Sequence, residues 1–425
     1  MAKFLISTMP ATGHVNPFLL TAARLVEGGH EVVWHTGSEV REKVEATGAK
    51  FSPMVHTPDI LQATVAAQQK DGLAAANAAM IQLFVTPMPG QLKDYQAILS
   101  DFPADALVVD MCSLGAAVLN EKGGPVWASV GINPFRTAES PPYGSGKPPA
   151  SSDFGRYSNR ILNKLSERLL VEVTRTFNRE RRETGLPPIP RGKTVFDYLV
   201  SPYLHLQGTT PAFEFPVRDL PPQVHYVGPM LPPMPADFSE PAWWHELRNG
   251  RPVVHVTQGT VATDVTELVH PAIQALVDED VLLVVTTPEP EKLGALPHNV
   301  RVERMIPHSF LLPHVDVMVT NGGYNGVKVA LAYGVPLVAA GATEDKPEVG
   351  SRIAWSGAGI NLKTGSPAPD QLKKAILEVL HNPLYRQRAQ VIQSDFARHD
   401  SPGEAAQLLA RLARTQKPVL RARAT

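Results

Sequence analysis

Short apolar runs alternate along the chain with stretches whose apolar positions recur at helical spacing. The run FLIST is followed by a polar Gly/Pro loop, then PFLLTAARLVEGG, then HEVVWHTG, which predicts strand, loop, helix, turn and strand. Leu19, Leu20, Ala23 and Val26 supply the helical spacing, and Gly28 with Gly29 supplies the stop. A helix over 38–47, a strand over 50–53 and a buried strand ALVVD ending at Asp110 extend the alternation. The same grammar restarts after the proline-rich stretch 226–241. PVVHVTQGT, a helix near 267–277, VLLVVTT, VDVMVT, the turn NGGYNG, the helix VKVALAYG, the strand VPLVAAG and a helix after Pro347 follow in turn. Such alternation builds parallel sheets, so the fold class is α/β, with two facing Rossmann-like domains and a cleft between them.

The predicted units are an amino-terminal domain over 1–228, a linker over 229–245, a carboxyl-terminal domain over 246–400 and a last helix over 401–425 that can pack back on the first domain. Ser401 with Glu404 reads as a capping box, Pro402 suits the first helical position, and Leu408, Leu409 and Leu412 form a stripe. Between the domains, Ile161, Leu165, Leu169, Val173 and Phe177 recur every fourth residue amid Arg and Glu. They predict one long amphipathic helix over 161–182, packed on the surface or lining an acceptor pocket.

Composition narrows the chemistry. A chain of 425 residues exceeds the roughly 250 to 300 at which one core stops growing, which agrees with two domains. A net charge of −1 gives no broad positive field for nucleic acid or anionic lipid, so phosphate binding must come from local backbone geometry. One cysteine, Cys112, excludes an intrachain disulfide and a thiolate cage. The amino terminus falls short of a signal peptide, and no stretch reaches the roughly 18 apolar residues of a membrane span, so a cytoplasmic location is expected.

Ligands of open α/β sheets sit beyond the carboxyl ends of the strands. His14 follows the first strand there, and Asp110 ends a later strand of the same sheet. A lone histidine is usually a capping or surface residue, and an aspartate in that place is often a loop cap. Together they make a base: a carboxylate that holds one imidazole nitrogen fixes the tautomer and stabilises the cation formed when the other takes a proton. In the second half NGGYNG, from Asn321 through Gly322, Gly323, Tyr324 and Asn325 to Gly326, separates a buried strand from a helix. Its amides and the positive end of that helix form a diphosphate cradle without lysine or metal. TQGT, with Gly259 and Thr260, occupies the matching place after the domain's first strand. Asp278 and Asp280 resemble a metal-binding pair but precede their strand, at the wrong edge, and read as turn residues.

With His14, Asp110, TQGT, NGGYNG and EDK in that order, the chain resembles, over nearly its whole length, the family 1 nucleotide-sugar glycosyltransferases of two-Rossmann (GT-B) architecture, especially bacterial natural-product and macrolide types. The resemblance implies that His14 is a general base and Asp110 its orienting acid, that Met305 lies against the nucleobase and the backbone at His308 along its edge, and that Gly323, Tyr324 and Asn325 hold the diphosphate. It places Asp345 and Lys346 on the sugar hydroxyls. It further implies inverting, metal-free transfer without a cofactor, from a UDP- or dTDP-linked sugar to a small apolar acceptor such as a flavonoid, polyketide or macrolide. The acceptor would be received by loops over 51–73, 80–90 and 136–154. Three positions depart from the family pattern. Asn321 stands for a histidine, Lys346 for a glutamine and Met305 for an aromatic platform. A nucleotide-sugar epimerase of the same shape and a non-catalytic nucleotide-sugar binder remain open as alternatives.

Overall fold

In the computed structural model, which describes residues 1–60, 72–259 and 264–422, the apolar runs become two sheets. The first holds β1 (Lys3–Ser7), β2 (Glu31–Thr36), β3 (Lys50–Pro53), β4 (Ala106–Val109), β5 (Val126–Gly131), β6 (Leu204–Gln207) and β7 (Val224–Tyr226). The second holds β8 (Val253–Thr257), β9 (Leu282–Thr286), β10 (Val300–Glu303), β11 (Val317–Thr320), β12 (Leu337–Ala339) and β13 (Gly359–Asn361). Their orders are 3-2-1-4-5-6-7 and 10-9-8-11-12-13. All of these pairings are parallel. Helices cover both faces, so β4, β8 and β11 are buried along their whole length, which is why they read as unbroken apolar runs. In each sheet the strand order reverses at one place, between β1 and β4 and between β8 and β11, and at such a switch the two neighbouring crossovers diverge and leave a crevice.

Four expectations change. The first helix starts at Thr12, before the proline that the sequence suggested as its opening, and runs to Glu27. Its buried stripe is Val15, Phe18, Leu19, Ala22 and Leu25, one position off the predicted one, because Leu20, Ala23 and Val26 are only partly covered. The segment expected as a loop over 80–90 is helical, from Leu73–Met80 through a π-turn at Ile81–Val85 into Met88–Asp101. Gly90 lets this helix lie against the His56 carbonyl, which an added Cβ would approach to 2.2 Å.

The predicted long helix is two, Asp153–Leu169 and Val171–Glu183. They divide where the Asn77 amide takes the Leu169 carbonyl at 3.1 Å, and only the second is anchored, through Val173 and Phe177 in the first-domain core. The last helix, Ser401–Thr415, is capped one residue earlier than expected. Asp400 accepts from the Gly403 N–H, Ser401 Oγ donates to the Gly228 carbonyl instead, and Glu404 pairs with His399. Ala405, Leu409, Leu412 and Ala413 of that helix lie in one core cluster with Phe4, Ile6 and Phe18 of the first domain.

Candidate active site between the two sheets

β1 and β4 run in register, Ser7 beside Val109, so the residues that follow them leave the sheet together at its switch point. Met9 N–H and the His14 ring converge on one oxygen of Asp110, at 2.8 Å and 2.7 Å from Oδ2. The other oxygen accepts from the Cys112 N–H at 3.0 Å and the Ser113 hydroxyl at 2.9 Å. Asp110 is thus both the loop cap and the partner of the imidazole. It is 1% exposed, and a carboxylate saturated in this way cannot rotate out of place. Because an ionised carboxylate only accepts, His14 Nδ1 carries the proton and Nε2 is left as the basic nitrogen.

His14 lies in the first turn of the Thr12–Glu27 helix, not in the preceding loop. Pro17 sits inside that helix and has no N–H, so the Gly13 carbonyl lacks the donor that an i+4 residue normally supplies. Asn325 fills the vacancy from the other domain, its Nδ2 donating to Gly13 O at 2.8 Å. The turn of the second sheet therefore touches the turn that carries the histidine.

On that second side, β8 and β11 are also in register, Thr257 beside Thr320. Gly259 and Gly322, just past the two strand ends, both adopt positive φ, 78° and 84°, a conformation open to glycine at no steric cost. Asn321 joins them. Its amide donates to the Gln258 carbonyl, and its Oδ1 accepts from the Gly323 N–H at 3.3 Å. Where a charged histidine would face phosphate, this side chain ties loop to loop. The helix Tyr324–Ala332 then begins with no side-chain cap. The backbone N–H groups of Tyr324, Asn325 and Gly326 have no hydrogen-bond partner among the described residues, and the space above the Gly326 Cα is open. An uncapped helix end with glycine at its mouth accepts an anion. Thr260 lies outside the described residues.

The remaining predicted residues rim the same edge. Met305, just past β10, exposes 77% of its surface. The His308 ring turns inward against His255, 5.8 Å between centroids, and burial lowers its pKa. Asp345 precedes the helix Lys346–Ser356, and burial together with the Glu344 carboxylate pushes it up to about 6. Lys346 turns its ammonium back to Thr343 Oγ1, 3.0 Å away, and to Glu344. Asp278 and Asp280 precede β9 at the opposite edge, as expected of turn residues. A groove of about 550 Å³, lined by Arg248, Arg251, His314 and His381 among others, also opens at that far edge.

Behind the turn, Tyr324 of the predicted cradle and the helix that follows it meet residues that no sequence signal marked. Tyr324 buries its phenol and donates to Glu214, whose carboxylate also holds Arg352 Nε at 2.7 Å. Lys328 donates to the Gly208 carbonyl at 2.6 Å, and burial lowers its pKa to about 7. Partners separated by more than a hundred residues leave no local pattern to read. Among the described residues, one group could bring metal-ligand atoms together, His14, Asp110 and Cys112, within 4.8 Å of one another. No helix among the described residues is long and apolar enough to cross a membrane.

Comparison with known proteins fits this geometry. Residues 271–412 match the family description "Erythromycin biosynthesis protein CIII-like, C-terminal domain". A 4'-demethylrebeccamycin synthase of Lentzea aerocolonigenes is 45% identical over 417 residues, 96% of this chain and 99% of that protein. A UDP-glucosyltransferase 1 of Beauveria bassiana is 32% identical, over 92% of this chain and 91% of that protein. Among solved structures, the glycotransferase of kitacinnamycin superposes with a TM-score of 0.75 at 21% identity, over 96% of this chain and 98% of that one. A spinosyn rhamnosyltransferase complexed with thymidine diphosphate does so with a TM-score of 0.70 at 18% identity, over 96% and 100%. These last two share the fold. Identity sustained over nearly the full length of both chains carries more, and it places this chain in the nucleotide-sugar glycosyltransferases of natural-product type with GT-B architecture, as a glycosyltransferase.

Proposed function

We propose that the enzyme transfers a sugar from a UDP- or dTDP-linked donor to a hydroxyl of a small apolar acceptor, with inversion and without a metal. The observation that carries this reading is the contact between the two turns. The Asn325 to Gly13 bond sets a histidine whose Nε2 has no partner among the described residues beside an uncapped helix end. In the reaction, His14 Nε2 takes the acceptor proton as the acceptor oxygen bonds to the anomeric carbon. The bond from that carbon to the diphosphate breaks, and Asp110 stabilises the resulting imidazolium. The departing charge falls on the N–H groups of Tyr324, Asn325 and Gly326, and attack opposite the leaving group inverts the centre.

Metal independence is supported by the chemistry of the one candidate ligand set among the described residues. Both oxygens of Asp110 already take two hydrogen bonds each, and burial pushes the Cys112 thiol up, away from the thiolate a metal needs. The donor class is supported by the UDP and thymidine diphosphate named for the relatives. An apolar acceptor is supported by the helix Asp153–Leu169, which leaves Phe154, Tyr157, Ile161, Leu165 and Leu169 exposed along one face. Incubating the enzyme with a matrix of nucleotide sugars and phenolic or polyketide alcohols, and analysing the products by mass spectrometry, tests the proposal. Glycosylated acceptor is expected without added metal and in the presence of a chelator. Isomerised donor, or activity abolished by chelation, overturns it.

A further inference from the structure

The segment that leaves β5 and leads to the helix Asp153–Leu169 is fastened on two sides. Toward that helix, Asn159 donates to the Glu139 carbonyl, Asn163 to the carbonyls of Ala138 and Ser140, and Arg160 pairs with Glu139. Toward the second domain, the Gly144 N–H donates to Glu348 Oε1 at 2.6 Å, and Arg136 approaches the same oxygen to 3.6 Å. Gly146 lies so close to Pro347 that a Cβ there would meet its carbonyl at 3.3 Å. Glu348 stands in the first turn of the helix Lys346–Ser356, three residues after Asp345, with its side chain only 8% exposed. Its second oxygen, Oε2, is buried without a hydrogen-bond partner among the described residues. Because the carboxylate is buried, its contacts with the segment are screened less by water and salt than those of a surface ion pair. The segment thus spans from an exposed apolar helix face to the helix whose mouth carries Asp345.

We propose that Glu348 is a positioning residue that makes transfer productive: by anchoring the 136–146 segment across the cleft, it seats the acceptor wall against the donor sugar and keeps water from competing for the anomeric carbon. This rests on the transfer reaction above. The structure assigns the function of a bracket to Arg136, Tyr143 and Gly144, with the Arg136 guanidinium 5.3 Å from the centre of the Tyr143 ring. Releasing the bracket frees the acceptor side while leaving His14 and the diphosphate turn intact.

The test is the partition of donor between acceptor and water, followed as glycosylated product against free sugar at saturating nucleotide sugar. Glu348→Ala removes both contacts and is expected to shift this ratio toward hydrolysis by about tenfold and to raise the acceptor KM, with nucleoside diphosphate affinity unchanged. Glu348→Gln keeps an acceptor for the Gly144 N–H and should recover most of the ratio. Arg136→Gln, on the first-domain side, should move it in the same direction as Glu348→Ala and gives the reading even if the latter fails to fold. The proposal is overturned if hydrolysis and transfer fall together in both Glu348→Ala and Arg136→Gln, or if the ratio stays at its wild-type value. Wild-type enzyme that consumes no nucleotide sugar would instead refute the transfer reading itself.

Discussion

The two switch points solve opposite problems with the same topology. In the proposed reaction the first supplies side chains whose polar atoms are almost all spent. Asp110 takes four donors, and His14 keeps one nitrogen without a partner among the described residues. The second supplies main chain, and what matters there is what is unspent, the N–H groups at the uncapped start of Tyr324–Ala332. A side-chain site is destroyed by truncation and a main-chain site by addition.

Substitution at the first site should separate activity from stability. Asp110→Ala strands two buried backbone N–H groups and the imidazole, so it should abolish measurable turnover and lower unfolding free energy by about 2–5 kcal/mol, read by denaturant titration. His14→Ala should reduce kcat by roughly 10²–10⁴ while the melting curve stays within about 1 kcal/mol of wild type. If both variants lost stability equally, the dyad would be a structural pair and the contrast would fail.

At the second site the informative change is a methyl. Gly326→Ala meets no protein atom within 4 Å, so the fold should tolerate it, while the donor KM rises by about tenfold as the methyl occupies the mouth of the helix. Asp345, pushed up to about 6, gives a pH signature. On the proposal that Asp345 accepts from the donor's sugar hydroxyls, protonation as pH falls through about 6 weakens it as an acceptor, so the donor KM should climb, and Asp345→Asn should flatten that profile. The sign for stability is opposite. With its folded pKa above the ordinary 3.8, this group favours the fold below that value and loses the contribution as pH rises through 6. The smallest effect belongs to Asn321→Ala, which loosens two loops without removing a charge. A loss of about fivefold in kcat/KM is expected, and a hundredfold loss would mean that its amide reaches phosphate directly.

What the sequence disclosed follows the range of the interactions. Strands such as Ala106–Val109 and Val317–Thr320 were legible because a parallel strand covered on both faces has no choice but to be apolar. His14 and Asp110 were legible because their positions at strand ends fix where they emerge. The break near Leu170 was not, since every-fourth spacing describes one face of a helix and says nothing about whether a neighbour covers it. Nor could Glu348 be found. Its partner Gly144 lies 204 residues away, on a segment with no regular element of its own. The proline at position 17 was visible yet misleading, because it looked like a helix start and proved to be the reason a carbonyl is free to meet Asn325.

The final helix has a consequence for how the polypeptide is made. Because Leu409 and Leu412 complete the interior around Phe4 and Phe18, the amino-terminal half emerges from the ribosome with an apolar seam that stays uncovered until the entire other half has been translated. The nascent chain must carry that gap through most of its synthesis, and a stop codon placed just after residue 400 would leave it permanently open, sending the product toward aggregation rather than toward a slower enzyme.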